Sequence, residues 1–363
     1  MLKTLKIKLF PNNEQKQILL QTMRVFNQAC TEIAQYAVKE QIFSKFEIQK
    51  RIYHPLREKY GLSAQLTIRA IAKTIEALKA NKKKKKASTP KFRETGSIVY
   101  DQRCFSFKGL EAVSLLTLEG RTIVPLIMNG YHSGELAAYG KRGQADLIYS
   151  QGKFFLCVVV EVPEPETDSS NGSLGVDLGI VNIAVDSDGQ RFSGSHTRNL
   201  SKRYARIRKR LQVKQTKSAK RLLKKRNRKE MRMKRDKNHC ISKALVTKAK
   251  DTQRGIVLED LKNIRKRVTV RKAQRREQHS WSFHQLRQFI GYKAAIAGVE
   301  VTVVDPRNTS RECVRCHHID KRNRSSQSKF KCVKCGFVGH ADHVAALNIQ
   351  SRAAVNRPYA EAA

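Results

Sequence analysis

Between Ser201 and Cys240 the chain carries 19 Lys and Arg against two acids, Glu230 and Asp236. Forty residues with a net charge of +17 cannot be folded into an apolar interior, because each unpaired cation would lose its hydration. Tyr204, Ile207, Leu211, Leu222 and Leu223 keep a thin helical stripe, so the run reads as one or two long basic helices. The excess extends over the whole chain: 73 Lys and Arg against 31 Asp and Glu in 363 residues, or +42. Such a surface repels itself unless a polyanion neutralises it, and nucleic acid is the default partner. An anionic membrane is the weaker alternative. The longest apolar run, Phe154 to Val160, is too short to span a bilayer, and the start MLKTLKIKLFPNNE lacks a signal-peptide core. The expected setting is soluble and cytoplasmic, with no membrane partner.

Leu2 to Phe10 alternates apolar and basic residues and reads as a strand; Pro11-Asn12-Asn13-Glu14 opens a helix. From there to about Lys82 the spacing is helical. Ile18, Leu19, Met23, Phe26, Cys30, Ile33, Ala34 and Ala37 fall on one face, and Ser63 to Ala80 forms a second amphipathic stretch. The lysine run Lys82–Lys86 reads as an exposed loop, either beside a phosphate backbone or simply solvated. Ser97 to Val162 alternates in short segments punctuated at Gly109, Gly120, Asn129-Gly130 and Gln151-Gly152. This predicts a small β-barrel or sandwich that the first strand joins, with the helices inserted. Pro163 to Ser173 is a linker. After it come two short buried strands, a hairpin turn at Ser187-Asp188-Gly189, and the basic run. Further on lie a strand from Gly255 to Leu258, a basic patch from Lys262 to Arg276, a helix from Trp281 to Ala297, a strand from Val299 to Asp305, and a last helix from His340 to about Ala354.

Two sets of residues carry chemistry. Cys313-x-x-Cys316 and Cys332-x-x-Cys335, 15 residues apart, have the spacing of a tetrahedral four-thiolate zinc ribbon, with iron or free thiols as the alternatives. Gly336 suits a tight knuckle turn; His317 stands where the first knuckle often has Gly. Cys30, Cys104, Cys157 and Cys240 are expected to be buried thiols. The second set is acidic. Asp177 reads as mid-strand in GVDLG, Glu259 ends the strand IVLE, and Asp342 opens the last helix. Singly, these could be a strand end or a helix cap. Together, two neighbouring strands and one helix can bring three carboxylates to a single cleft. Such a cluster needs cations, and hard oxygen ligands call for Mg²⁺ or Mn²⁺. Two such ions about 4 Å apart clamp the attacking water and leaving oxygen of a phosphodiester.

The order GVDLG, IVLEDL, CxxC…CxxCG and D-x-x-A-A-x-N-I resembles the TnpB family of transposon-encoded RNA-guided nucleases, relatives of the type V CRISPR effectors. Val304-Asp305-Pro306, Thr309-Ser310 and the opening KIKLFPNNEQ look like that family too. The resemblance implies an α/β, RuvC/RNase H-like nuclease domain over residues 166–363 with a zinc ribbon (308–339) inserted. Before it, the resemblance implies an oligonucleotide-binding-like wedge barrel (1–10 and 86–165) holding a helical recognition domain (11–85). Asp177, Glu259 and Asp342 would be the catalytic, metal-holding acids, guided to double-stranded DNA by an RNA, with no small-molecule substrate. Gln65, Arg69 and Lys73, and on the basic helices Arg206, Lys209, Arg210, Arg221, Lys225 and Arg228, are the expected nucleic-acid contacts. Val344 departs from the family's Asn two residues after the last acid. A guided DNA-binding protein that does not cut, a compact CRISPR effector, and an unguided zinc-ribbon RNA-binding protein or resolvase remain alternatives.

Overall fold

The computed structural model describes residues 1–82, 89–140, 143–167, 171–261 and 283–355; the lysine run at 83–86 and the basic patch at 262–276 lie outside them. The chain forms two compact units, Met1–Val162 and Pro163–Ala363. No described helix is long and apolar enough to cross a membrane.

The first unit starts with β1 (Leu2–Leu9) and three helices, α1 (Asn13–Lys39), α2 (Lys45–Tyr60) and α3 (Ala64–Lys82). Asn12 caps α1 through a reciprocal pair: its side chain accepts from the Gln15 N–H at 2.8 Å, and its own N–H donates to Gln15 Oε1. Gly61 ends α2 at a φ of 61°, which a residue without Cβ adopts freely. Strands β2 (Ile98–Asp101), β3 (Phe105–Lys108), β4 (Ala112–Thr117), β5 (Gly120–Ile127), β6 (Gln144–Ser150) and β7 (Lys153–Glu161) follow. They make one sheet in the order β2-β6-β7-β1-β5-β4-β3, so the first strand sits at its centre. The sheet curls at β5, which pairs with β4 over Gly120–Pro125 and with β1 only at Leu126 and Ile127. Met23, Phe26 and Ile33 of α1 and Leu66 and Ile71 of α3 share a single core with Ile98, Phe105, Leu147 and Leu156 of the sheet. Asn129-Gly130 does break the strand pattern after β5, but it opens a helix that the alternation does not predict, α4 (Gly130–Tyr139). The Asn129 side chain accepts from the His132 N–H, as an N-cap does.

The second unit is built on a five-stranded sheet, β8 (Ser173–Asp177), β9 (Asn182–Asp186), β10 (Arg191–Ser193), β11 (Gly255–Glu259) and β12 (Val301–Val304), in the order β10-β9-β8-β11-β12. β8, β11 and β12 are parallel, while β9 and β10 return antiparallel as a hairpin. Lys248 pins that hairpin by an ion pair to buried Asp186 at 2.6 Å. The basic run forms a helical hairpin, α5 (Ser195–Lys214) and α6 (Lys217–Asp251). Buried Glu230 of α6 ties the two together by an ion pair to Arg208 of α5 at 2.6 Å, while Lys234, one turn on in α6, meets it from the same helix at 3.1 Å. The inner end of α6 and helix α7 (Phe283–Ala297) cover one sheet face, where Leu245, Ala249, Leu286 and Ile290 meet Leu174, Val176, Ile256 and Leu258. Helix α8 (Ala341–Val355) covers the other face, packing Ile349 and Ala353 on Val257 and Val304. It lies so close to β8 that a Cβ on Gly175 would sit 2.2 Å from the Ala346 carbonyl oxygen. Between β12 and α8 the chain forms the cysteine knuckles and a two-stranded ribbon, β13 (Lys329–Lys331) and β14 (Val338–His340).

Candidate active site

Strand alternation decides where the acids go. Leu174 and Val176 face α6 and α7, so Gly175 and Asp177 face α8; on β11, Val257 and Glu259 do the same. The parallel register pairs Val176 with Leu258, which sets Asp177 and Glu259 side by side at the carboxyl ends of adjacent strands. Asp177 is thus the last residue of its strand, not a mid-strand residue: Leu178 is buried and prolongs the apolar pattern beyond the hydrogen-bonded ladder. Asp342 lies in the first turn of α8, above the same ends.

Asp177 and Glu259 line an open cavity of about 1180 Å³ with Asp260, Arg287, Asp305, Thr309 and Arg324. Desolvation first, then the charges of Glu259 and Asp342, pushes the Asp177 pKa well above the carboxylate range, against the opposing pull of Arg324. Burial also raises Glu259, which Thr309, Arg352 and Arg324 partly offset. The Thr309 hydroxyl donates to Glu259 Oε1. Asp342 accepts from Asn182 Nδ2 at 2.9 Å and pairs with Arg324 at 3.1 Å. The cleft therefore holds two acids that disfavour each other's charge, and beside it Asp342 is already matched by the Arg324 guanidinium. Arg324 and Asn182 were not legible as site residues, since each meets Asp342 only through the fold. Val344 is buried among Phe330, Cys313 and Cys332 in the ribbon core.

Among the described residues, the Cys313, Cys316, Cys332 and Cys335 sulfurs form the group of ligand atoms lying within 4.8 Å of one another; the three carboxylates do not gather so tightly. Cys313 Sγ is 3.5 Å from Cys335 Sγ, and Cys316 Sγ 3.6 Å from Cys332 Sγ. The two knuckles match in detail. The His317 N–H donates to the Cys313 carbonyl and the Gly336 N–H to the Cys332 carbonyl, at φ values of 53° and 73°. His317 thus takes the left-handed conformation that Gly takes in the other knuckle, and its ring turns to Glu312 rather than to the sulfurs. Although desolvation opposes it, the N–H groups of Cys335 and Lys334 help bring the Cys332 thiol down to about 6, favouring thiolate. Of the other cysteines, Cys30 and Cys104 are buried as expected, whereas Cys157 is half-buried and Cys240 is exposed.

The expected nucleic-acid contacts fall into two groups. Arg206, Lys209, Arg210, Arg221 and Lys225 are exposed on the α5–α6 hairpin, and Arg228 is half-buried there. Gln65, Arg69 and Lys73 instead hold α3 to its neighbours. Gln65 donates to Asp101, Arg69 to the Val99 carbonyl at 3.3 Å, and Lys73 to Asn27 Oδ1 at 3.0 Å and to the Ser97 carbonyl. Burial lowers the Lys73 pKa.

Fold and site together define a class: a strongly basic α/β protein with a three-acid cleft and a four-cysteine ribbon set just before the last acid. Residues 155–271 match the family described as a probable transposase, and residues 283–349 match the Cas12f1-like TNB domain. Each match covers less than half of the chain, and both are to proteins of transposase or Cas12f1 type. It is 38% identical over 152 residues to a TnpB-like protein of Methanocaldococcus jannaschii, covering 42% of this chain and 54% of that one. It is 41% identical over 113 residues to the CRISPR-associated endodeoxyribonuclease Cas12f1 of Sulfoacidibacillus thermotolerans, covering 31% of this chain and 25% of that one. InsQ of Escherichia coli K12, whose name proposes an RNA-guided DNA endonuclease, is 27% identical over 299 residues, 76% of this chain and 71% of its own. The chain thus spans about a quarter and about half of the first two relatives. Among solved structures, Cas12f1 in its sgRNA–target DNA complex superposes with a TM-score of 0.66 at 14% identity, covering 96% of this chain and 98% of that one. The mini-RNA-guided endonuclease CRISPR-Cas phi3 gives 0.62 at 13% identity, covering 99% and 93%. At such identities the likeness is one of fold.

Proposed function

We propose that the chain is an RNA-guided DNA endonuclease of a mobile element, hydrolysing phosphodiesters with Mg²⁺ or Mn²⁺ held by Asp177, Glu259 and Asp342. The observation that carries this reading is the pair of carboxylates on adjacent strand ends, facing an open polar cavity, each disfavouring the other's ionisation. Two such groups are unfavourable in a fold unless cations offset them, and all-oxygen donors fit hard divalent ions. When bound, the ions supply an activated water and charge compensation for the leaving oxygen. A cation would compete with Arg324 for Asp342. The cysteine sulfurs fit zinc: a tetrahedron with Zn–S of about 2.3 Å has edges of about 3.8 Å, near the 3.5 and 3.6 Å separations here.

The strand order and mixed directions of the second unit support a RuvC-like reading for residues 166–363, with the ribbon at 308–339 inserted. The curled sheet of the first unit supports an oligonucleotide-binding-like wedge formed by 1–10 and 86–165, and its helices 11–85 a recognition role. The exposed cations of α5 and α6 would grip the guide RNA or its duplex with target DNA, the base pairing supplying sequence specificity. The test is to purify the protein from cells carrying its native locus, sequence the bound RNA and assay Mg²⁺-dependent cutting of a matching DNA. One defined RNA, running past the element's boundary, with guided cutting, is the expected result. Heterogeneous RNA and no guided cutting would overturn the reading. The 41% identity to a Cas12f1 segment favours one second reading, a compact CRISPR effector, and an RNA carrying a CRISPR repeat would establish it.

A further inference from the structure

Thr309 is 3% exposed and sits on the loop that leads from β12 to the first cysteine knuckle. Its hydroxyl has one proton and two acceptors in reach, Glu259 Oε1 and the Pro306 carbonyl at 3.1 Å. An ionised carboxylate is the stronger acceptor, so the proton goes to Glu259. That bond stops the carboxylate from turning about its last torsion, which otherwise has a broad minimum. The loop itself is held from α8. Asn348, buried, donates from Nδ2 to the carbonyls of Thr309 and Glu312, both at 2.8 Å. One turn on, Arg352 pairs with the Glu312 carboxylate at 2.8 Å. The helix that carries Asp342 in its first turn therefore also fixes, less than two turns later, the backbone of the residue that holds Glu259.

We propose that Thr309 is a positioning residue: anchored by Asn348, it orients the Glu259 carboxylate so that α8 sets two of the three acids at once. The proposal rests on the reading of the acid cleft as a divalent-metal site. Oriented carboxylate ligands commonly depend on such partners, whose loss weakens metal binding about 10–100-fold.

The experiment measures Mn²⁺ binding by electron paramagnetic resonance in the zinc-loaded full chain, without guide, beside the Mg²⁺ dependence of guided cutting, guide-RNA affinity and melting temperature. Thr309→Val keeps the shape and drops the hydroxyl. It is expected to weaken Mn²⁺ binding about 10–100-fold and raise the Mg²⁺ requirement in proportion, with guide affinity unchanged. Thr309→Ser, which keeps the hydroxyl, is expected to restore Mn²⁺ affinity to within about threefold of the parent. Thr309→Ala drops the hydroxyl without demanding that valine pack, and is expected to behave as Thr309→Val. Asp177→Ala is the control for the site. If it loses the Mn²⁺ signal while both hydroxyl-free variants bind as the parent does, the positioning role is wrong and the acid site stands. If Asp177→Ala binds Mn²⁺ like the parent, the metal reading fails and the proposal with it.

Discussion

At the scale of single residues, Asp177 makes the sharpest prediction. Its raised pKa means that the folded, metal-free protein holds the proton more tightly than the unfolded chain. Asp177 therefore takes nothing from stability below the ordinary carboxylate pKa of about 4, and destabilises progressively as pH rises from there through the raised folded value. In the zinc-loaded protein without added Mg²⁺ or Mn²⁺, the melting temperature of the parent should fall relative to Asp177→Asn between pH 5 and pH 8, and Mg²⁺ should close the gap; parallel curves without Mg²⁺ would contradict this. Gly175 makes a second prediction. Its missing Cβ leaves room for α8 backbone, which cannot move as a side-chain tip can, so Gly175→Ala should destabilise by about 3 kcal/mol in denaturant unfolding. A mid-strand Gly is legible in sequence as a sign of close approach, but what approaches it is not. Lys73 shows the opposite limit: amphipathic spacing reads it as exposed, yet Asn27 and Ser97, distant in sequence, take its ammonium inward.

At the scale of elements, the basic hairpin and α3 should respond differently to the same kind of change. Replacing Arg206, Lys209 and Arg210 together by Ala should flatten the salt dependence of guide-RNA affinity by about 2 in log–log slope. Lys73→Ala should leave that slope alone and lower the melting temperature, since it removes an internal strut. Equal slope changes from both would refute the division. If the four cysteines hold zinc as proposed, the ribbon should depend on it: apart from the cysteines, Phe330, Ala341 and Val344 are its buried apolar side chains, too few to hold a fold without metal. Chelating the zinc should therefore accelerate amide exchange over residues 308–340 and leave the first unit unchanged, as mass spectrometry would read; an unchanged ribbon would show that it stands without metal. Most elements could be read from periodicity because their apolar stripes are long, as in α1. Helix α4 could not: no side chain in it is buried, so no stripe exists, and Asn129-Gly130 serves a cap as well as a turn.

At the scale of the molecule, the acids and the cysteines were legible because each departs from its surroundings, a charge within apolar strands or paired thiols at metal spacing. What completes the cleft was not: Arg324, Asn182 and Asn348 reach Asp342 or the Thr309 loop from 18, 160 and 39 positions away. Such contacts exist only once α8 lies on the sheet and the ribbon folds back over its first turn. The net charge of +42 bears on the rest, since a chain so basic needs a polyanion to neutralise it, and the proposed nuclease reading gives the cleft a phosphate-bearing substrate. The most direct test compares parent and Asp177→Ala, each loaded with the RNA from the native locus, on matching DNA in Mg²⁺. The account predicts that both bind guide and target alike while cutting falls by about a thousandfold or more in the variant, the loss of roughly 4 kcal/mol of transition-state stabilisation. Undiminished cutting by Asp177→Ala would place the chemistry elsewhere and contradict the account.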